Sequence, residues 1–397
     1  MESLFEKHRN RLLVTDTTFV RSIMDTIHWE SRLTGIKGAR GVGKTTVMLQ
    51  HIKTNYPDDE TVLYVSLDNI WFAKNSLTSL VDYFMRMGGK RLYLDEVHKY
   101  PGWAQEIKNL FDDYPSLHIV FTGSSLLDIL NARADLSRRA IVHTMQGLSF
   151  REFLSLTTET DLPVYSLADI LNNHVEISNF ILDKIKPLRH FEKYLQYGYY
   201  PFFAEGSALY HQRIEEIINM ILEIELPSMR GVENSHIPKI KKLLQIIAES
   251  VPFIPNISKL SERAGISRVT LLSYLIYLQE VRLINSLYRD SEGISRLQKP
   301  DKLYMENTNI QHALSPSKIE KGTTRETFIV NQLINSHKVE YAVTGDLLVD
   351  GKFTIEIGGR NKNSSQIVST PDSYIAADDV EFGSFNRVPL WLFGFLY

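Results

Sequence analysis

The segment Gly38-Ala39-Arg40-Gly41-Val42-Gly43-Lys44-Thr45 brings together residue types that can hold a polyphosphate. Glycine lets backbone N–H groups converge on an anion, and the first turn of a following helix adds the positive end of its dipole. The order of residues meets the phosphate-loop pattern G-x-x-x-x-G-K-[S/T] at every specified position. In that pattern Lys44 reaches the β- and γ-phosphates and Thr45 offers its hydroxyl to Mg²⁺, with Thr46 next to it. ATP or ADP and magnesium are the cofactors this chemistry implies. A glycine-rich turn without chemistry is the plainer alternative, but this loop sits between an apolar strand and a helical stretch, the context the chemistry needs.

Phosphoryl transfer also needs an acid that anchors the metal and one that orients or deprotonates the attacking water. Arg91-Leu92-Tyr93-Leu94-Asp95-Glu96 is an apolar strand ending in two carboxylates, which assigns Asp95 to magnesium and Glu96 to the water, as the catalytic base. A strand ending in Asp-Glu can equally be a turn or helix cap; the preceding phosphate loop favours the catalytic reading. Next comes Phe121-Thr122-Gly123-Ser124-Ser125, where Ser124, and after it Thr122, offers a hydroxyl to the γ-phosphate or the lytic water. Ser124 and Ser125 can instead cap the next helix, and both readings stand. Arg138 and Arg139 are candidates for the cation that meets charge on the transferred phosphoryl group, supplied in cis or from a neighbouring subunit. Otherwise they are a solvated face.

These groups require a parallel sheet wrapped by helices, because such sheets bind ligands at the carboxyl edge of their strands. Residues 1–150 have that pattern, with strands at Leu33–Lys37, Val62–Leu67, Arg91–Leu94 and His118–Thr122 and helical periodicity over Pro101–Tyr114 and Leu126–Ala134. Residues 151–232 are helical throughout. Over 233–305, three helical segments precede a strand at Val281–Tyr288 and a charged turn at Arg289–Ser295, the element order of a winged helix. Ser258 and Ser267 are natural N-caps for its second and third helices, and the third, Arg268 to Gln279, is the one that would enter a DNA major groove. Strands return over 306–397, at Glu340–Val343, Leu347–Val349, Lys352–Ile357 and Val388–Tyr397.

With 397 residues the chain exceeds what one core supports, so several domains are expected. Its composition, 43% hydrophobic and 23% charged, is that of an ordinary globular protein, and its lack of cysteine excludes disulfides and thiolate chemistry. The charged start Met1 to Arg9 is unlike a secretory signal, and apolar runs such as Leu271–Leu278 and Val388–Tyr397 fall short of the roughly 20 residues that cross a bilayer. A cytoplasmic location without membrane contact is expected. A net charge of −3 gives no global case for nucleic acid. Between Asn256 and Lys302 eight Lys/Arg face five Asp/Glu, an excess that neutralises few phosphates. DNA and protein both remain open as partners of the winged helix.

The stretches GARGVGKTT, YLDEVHKYPGW (Tyr93–Trp103), FTGSS, LSRRA, GLSFREFL (Gly147–Leu154) and YLQYGYYP (Tyr194–Pro201) resemble the prokaryotic AAA-type ATPases, related to archaeal STAND-like ATPases, that carry a C-terminal domain of unknown function. The resemblance covers nearly the whole chain. It implies an α/β P-loop NTPase domain (1–150), a helical lid (151–232), a winged-helix domain (233–305) and a C-terminal α/β restriction-endonuclease-like domain (306–397). Within the lid, a Gly-Gly-x-Pro segment that covers the nucleotide base corresponds to Gly198-Tyr199-Tyr200-Pro201, so Pro201 takes the base contact while Tyr199 replaces the second glycine. Arg139 matches the arginine of the Gly-Arg pair before the lid, and Arg138 replaces its glycine. In the last domain Glu326, Asp350 and Glu356 match the acidic positions of a metal-dependent nuclease, but the lysine two residues on is Gly358. Lys362 could substitute; a degenerate fold kept for binding is the reading preferred. The implied function is Mg-dependent ATP hydrolysis or a slow nucleotide switch acting on the accessory domains, in a protein that can oligomerise. The alternatives are a DNA- or protein-binding regulator with structural nucleotide, and a nuclease.

Overall fold

The structure is a computed structural model that describes residues 1–123, 136, 138–250, 252–289, 299–317, 319–363, 367 and 370–397. The chain divides into two compact units, Met1–Gly147 and Leu148–Tyr397.

In the first unit, strands β1 (Leu33–Gly38), β2 (Val62–Ser66), β3 (Arg91–Asp95), β4 (His118–Gly123) and β5 (Ile141–Met145) form one sheet in the order β2-β3-β4-β1-β5. All of its pairings are parallel. Near-continuous apolar runs such as Leu92–Leu94 and Ile119–Phe121 suit strands buried on both faces. The four strands read from the sequence are present, each within about a residue of its expected ends. The fifth, β5, was not foreseen: its first residues Ile141 and Val142 are exposed, at 42% and 37%, so it lacks the apolar signal of its neighbours. Helices α1 (Glu2–Val14), α2 (Ile23–Thr26), α3 (Lys44–Asn55), α4 (Leu77–Arg86) and α5 (Trp103–Asp113) flank the sheet, with short 3-10 turns at Ile70–Ala73 and Val97–Lys99. α1 covers the open edge of β2, where His8 Nδ1 accepts the Tyr64 backbone N–H at 3.0 Å. The helix expected at Leu126–Ala134 lies outside the described residues.

The second unit opens with α6 (Phe150–Thr158), whose Ser149 and Glu152 form a reciprocal capping box. α7 (Leu167–Lys184), α8 (Leu188–Tyr197) and α9 (Tyr210–Met220) follow, and α9 runs through a π-helical turn at Ile221–Glu225 into α10 (Leu226–Arg230). Then come α11 (Ile237–Ala248), α12 (Ile257–Ala264) and α13 (Arg268–Glu280), followed by the antiparallel pair β6 (Ile284–Leu287) and β7 (Lys302–Met305). Phe253, between α11 and α12, bridges to Leu303 of β7. Ser267 caps α13 as expected, but α12 is capped by Asn256, whose side chain accepts from Lys259 N; Ser258 lies inside the helix. Most of the charged turn expected at 289–295 lies outside the described residues.

After α14 (Thr308–Leu314) and α15 (Lys321–Leu333), strands β8 (Val339–Tyr341), β9 (Leu347–Val349), β10 (Phe353–Gly358), β11 (Ser373–Ala377) and β12 (Arg387–Pro389) form a sheet in sequence order. It is antiparallel from β8 to β10 and parallel from β10 to β12. The final apolar run is strand only to Pro389; Leu390–Phe395 is a buried 3-10 helix. Phe150, Phe153, Leu167, Ile170 and Ile181 of α6 and α7 share a single core with Phe328, Val349, Ile355, Trp391 and Phe395. Residues expected to form a separate lid and a separate C-terminal domain thus fill one interior.

Candidate active site

β1 ends at Gly38, and the chain turns through left-handed Gly41 (φ 84°) and Gly43 (φ 99°) before α3 begins at Lys44. A side chain at Gly38 would stand 2.2 Å from the Met145 carbonyl oxygen, so only glycine fits there. Val42 is buried, Ala39 and Arg40 are half-buried, and Gly41 and Thr46 are exposed. The Lys44 ammonium, 5% exposed, donates to the carbonyls of Gly38 and Ala39, each at 2.9 Å.

The order β3-β4-β1 brings the ends of those three strands side by side. Asp95, buried at the tip of β3, accepts a hydrogen bond from Thr45 Oγ1 at 2.8 Å, which joins the phosphate loop to the acidic strand end. The same Oδ2 accepts from the Tyr64 hydroxyl at 2.9 Å, and Oδ1 accepts from Thr122 Oγ1. Burial and the Asp95 charge raise the Tyr64 phenol pKa, so it remains a donor. Glu96 follows in a left-handed conformation (φ 54°), its N–H donating to Thr122 Oγ1 at 3.2 Å. Burial and then Asp95 raise its carboxyl pKa, while Lys44 and Arg40 oppose the shift. His98 Nε2 lies 3.6 Å from Glu96 Oε2, and burial followed by the cations Lys99, Lys44 and Arg40 holds this imidazole down to about 3.

These residues fit a magnesium–nucleotide complex. A hydroxyl and a carboxylate are the oxygen donors a hard cation takes, and the left-handed glycines free backbone N–H groups for phosphate. Gly38 to Thr45, Asp95 and Glu96 therefore come together as the sequence anticipates. Thr122, the second choice there, bridges both acids; Ser124 lies outside the described residues. Two residues were missed. Tyr64 reads as an ordinary strand former in an apolar run. Arg21, buried and remote in sequence, donates to Val42 O at 2.9 Å, Gln146 O at 2.9 Å and Gly147 O at 2.8 Å, and so clamps the loop from behind.

Arg139 lies elsewhere. Its guanidinium makes two bonds to the Asp112 carboxylate, at 3.0 and 2.9 Å, in the last turn of α5. It precedes β5, whose first residue pairs with Thr34 near the start of β1, so it stands at the sheet edge opposite its own phosphate loop. Arg139 is thus not a cis group for this loop, because a strand of β1's length separates them. Arg138 is exposed beside it.

In the second unit, Pro201 begins a 3-10 turn, Pro201–Glu205, immediately after buried Tyr199 and Tyr200. Tyr199, in the expected glycine position, is an anchor: its N–H donates to Asn309 Oδ1 at 2.8 Å and its hydroxyl to Glu306 Oε1 at 3.0 Å. Glu306, 1% exposed, also accepts from Asn307 Nδ2 at 2.6 Å and from Asn331 Nδ2 at 3.3 Å.

A second acidic cluster differs from the expected one. Glu326 and Glu356 take part, but the third acid is Asp346, which receives the Ile357 N–H at 2.8 Å. Asp350 lies at the other end of β9, in a turn with His337. Lys302 Nζ sits 2.6 Å from Glu326 and 3.7 Å from Asp346. Lys362 contacts Glu356 Oε1, an approach that the missing side chain at Gly358 makes room for: a Cβ there would lie 2.5 Å from Lys362 Cγ. Among the described residues no three His, Asp or Glu side chains are arranged to hold a metal ion.

Residues 30–154 match the family model described as an AAA domain, and residues 188–321 match one described as a domain of unknown function, DUF8612. The chain thus carries an AAA-type P-loop ATPase domain followed by a domain of unknown function. The uncharacterized protein MJ1637 of Methanocaldococcus jannaschii is 26% identical over 290 residues, which are 70% of this chain and 61% of that protein. The chain therefore spans less than two thirds of the length of this curated relative. AMPPCP-bound DnaA from Aquifex aeolicus aligns at 16% identity over 65% of this chain and 84% of its own, with a TM-score of 0.28. The S. cerevisiae Hsp104–ADP complex aligns at 16% identity over 70% and 39%, with a TM-score of 0.29. Both structural likenesses are weak. No helix among the described residues is long and apolar enough to cross a membrane.

Proposed function

We propose that this protein binds Mg-ATP at Gly38–Thr46 and hydrolyses it, or switches slowly between nucleotide states, to act on the unit beginning at Leu148. The observation that carries this reading is the hydrogen bond from Thr45 Oγ1 to Asp95 Oδ2, with Glu96 next in sequence. It joins phosphate cradle, metal anchor and base at one strand edge. Magnesium, held by Thr45 and anchored by Asp95, would neutralise phosphate charge. Lys44 would contact the β- and γ-phosphates, and Glu96, with its raised proton affinity, is suited to take a proton from the attacking water. Pro201 remains the proposed base contact and Ser124 a proposed γ-phosphate contact.

Arg139, at the far sheet edge, suits a phosphate site on another copy of the chain, so oligomers would be the active form. The order α11, α12, α13, β6, β7, with the Phe253–Leu303 bridge, supports a winged-helix reading of 233–305. On α13 the outward Val269 is 77% exposed and no acidic or basic residue follows Arg268 until Glu280, which favours a protein partner over DNA. The mixed sheet of the last segment supports an endonuclease-like ancestry. Its lysine-paired acids favour a degenerate, binding role, and plasmid left uncut with Mg²⁺ or Mn²⁺ is the expected result.

The deciding experiment measures nucleotide binding and phosphate release together. Lys44→Ala should abolish binding. Glu96→Gln should bind ATP as wild type does but release phosphate at least about a hundredfold more slowly, the usual size of a general-base contribution. Turnover by Glu96→Gln at the wild-type rate would end the catalytic assignment.

A further inference from the structure

Asp95 is the most heavily bonded carboxylate of the site. A carboxylate oxygen has two lone pairs to offer. On Oδ2 both are taken, by Thr45 Oγ1 at 2.8 Å and by the Tyr64 hydroxyl at 2.9 Å. Oδ1 accepts from Thr122, which leaves it one further acceptor position. Thr45 belongs to the phosphate loop and Thr122 to the adjacent strand tip, both foreseen as parts of the site. Tyr64 has no such reason to be there. It comes from β2, on the far side of β3, where Tyr64 pairs in register with Tyr93 and Ser66 with Asp95. Its side chain therefore runs about two residues along the strand direction to reach the carboxylate. The ring is 6% exposed, and its backbone N–H is fixed by His8 of α1. Tyr93 is equally buried, but its hydroxyl has no hydrogen-bond partner.

We propose that Tyr64 is a positioning residue for the magnesium ion, its hydroxyl fixing Asp95 Oδ2 so that only the free position on Oδ1 faces the metal's hydration shell. The inference rests on the Mg-ATP reading and adds a strand to it. With Oδ2 saturated, Asp95 would offer a cation only the remaining acceptor position on Oδ1. Without the phenol, Thr45 and Thr122 still hold Asp95, but Oδ2 gains an open acceptor position and either oxygen can then be offered. Partners that orient a metal-binding group in this way are commonly worth 10 to 100-fold in metal affinity. The Tyr64 hydroxyl donates to Asp95 and not to a phosphate-loop residue, so its loss should act on magnesium dependence.

The test is a magnesium titration of binding by the full chain, followed through a fluorescent adenine nucleotide. In EDTA, Tyr64→Phe should bind the nucleotide as wild type does. With added Mg²⁺ the midpoint should rise about tenfold. Tyr93→Phe should leave the midpoint in place, and adding Tyr64→Phe to Asp95→Asn should produce no further shift. Tyr64→Met, which fills the same space with a flexible apolar chain, repeats the measurement if the phenylalanine variant does not fold. An unchanged midpoint in Tyr64→Phe overturns the positioning role and leaves the Mg-ATP reading intact. An equal shift in Tyr93→Phe, or a full additional shift on Asp95→Asn, also overturns it, since the effect would then follow from losing any buried phenol. Wild-type protein that binds no nucleotide with magnesium present overturns both.

Discussion

Glu96 holds a backbone conformation that its side chain disfavours. A φ of 54° in a residue other than glycine costs on the order of 1 kcal/mol, and strain of this kind persists where neighbouring bonds over-determine it. The Thr122 hydroxyl does so here by accepting the Glu96 N–H. Glu96→Gly should therefore raise the melting temperature while ATP turnover disappears, a stability gain at the expense of activity; a lower melting temperature would refute the strain argument. Thr122→Val keeps the shape but removes the donor to Asp95 Oδ1 and the acceptor of the Glu96 N–H, a loss of about 1–3 kcal/mol readable by denaturant unfolding. Glu96 and Asp95 were legible in the sequence because the phosphate loop gave meaning to two acids that could otherwise have been a turn or a helix cap. Tyr64 was not, since a tyrosine in VLYVS is what any strand contains and its bond spans 31 residues of sequence.

Strands and helices with strong periodicity were legible; the elements that depend on remote partners were not. Val388–Tyr397 illustrates the limit, because a short continuous apolar run fits a buried strand and a buried helix alike. Here it supplies a three-residue strand and then a 3-10 helix whose side chains fill the core shared with α6 and α7. That sharing also explains why a lid and a C-terminal domain looked separable: nothing local in residues 150–181 announces a partner some two hundred residues on. The junction between α8 and α14 is polar instead. Asn309 receives the Tyr199 N–H and donates to the Tyr194 and Leu195 carbonyls, and Glu306 gathers Tyr199, Asn307 and Asn331. Glu306→Ala would take a buried carboxylate acceptor from all three, while Asn331 keeps the Glu306 backbone carbonyl and Asn307 the Tyr200 hydroxyl, so a destabilisation of about 1–3 kcal/mol is expected. A loss below about 1 kcal/mol in urea unfolding would mean the network is slack.

Over the whole molecule, several imidazoles are buried in the neutral form. Burial lowers His8 and His51 to about 4 and His98 to about 3 in the first unit, and His312 to about 4 in the second. Between these values and the ordinary 6.5 the unfolded chain binds more protons than the folded one. Their contribution to stability is therefore complete above pH 6.5 and is lost as pH falls toward 4, by up to about 1.4 kcal/mol per pH unit for each group. Thermal unfolding of the full chain should show a melting temperature that drops steeply from pH 6.5 to 4.5. His8→Gln, whose amide oxygen can still accept from Tyr64, should flatten that slope by one proton; an unaltered slope would remove His8 from the account. Arg21 adds a consequence of a different kind. One guanidinium grips Val42 in the loop and the carbonyls of Gln146 and Gly147, the last two residues before the second unit begins. It works as a mechanical strap: any turn of the Val42 peptide must either pull the chain exit along or let it slip. An ammonium in its place, lacking the planar fork, could not keep all three carbonyls in step.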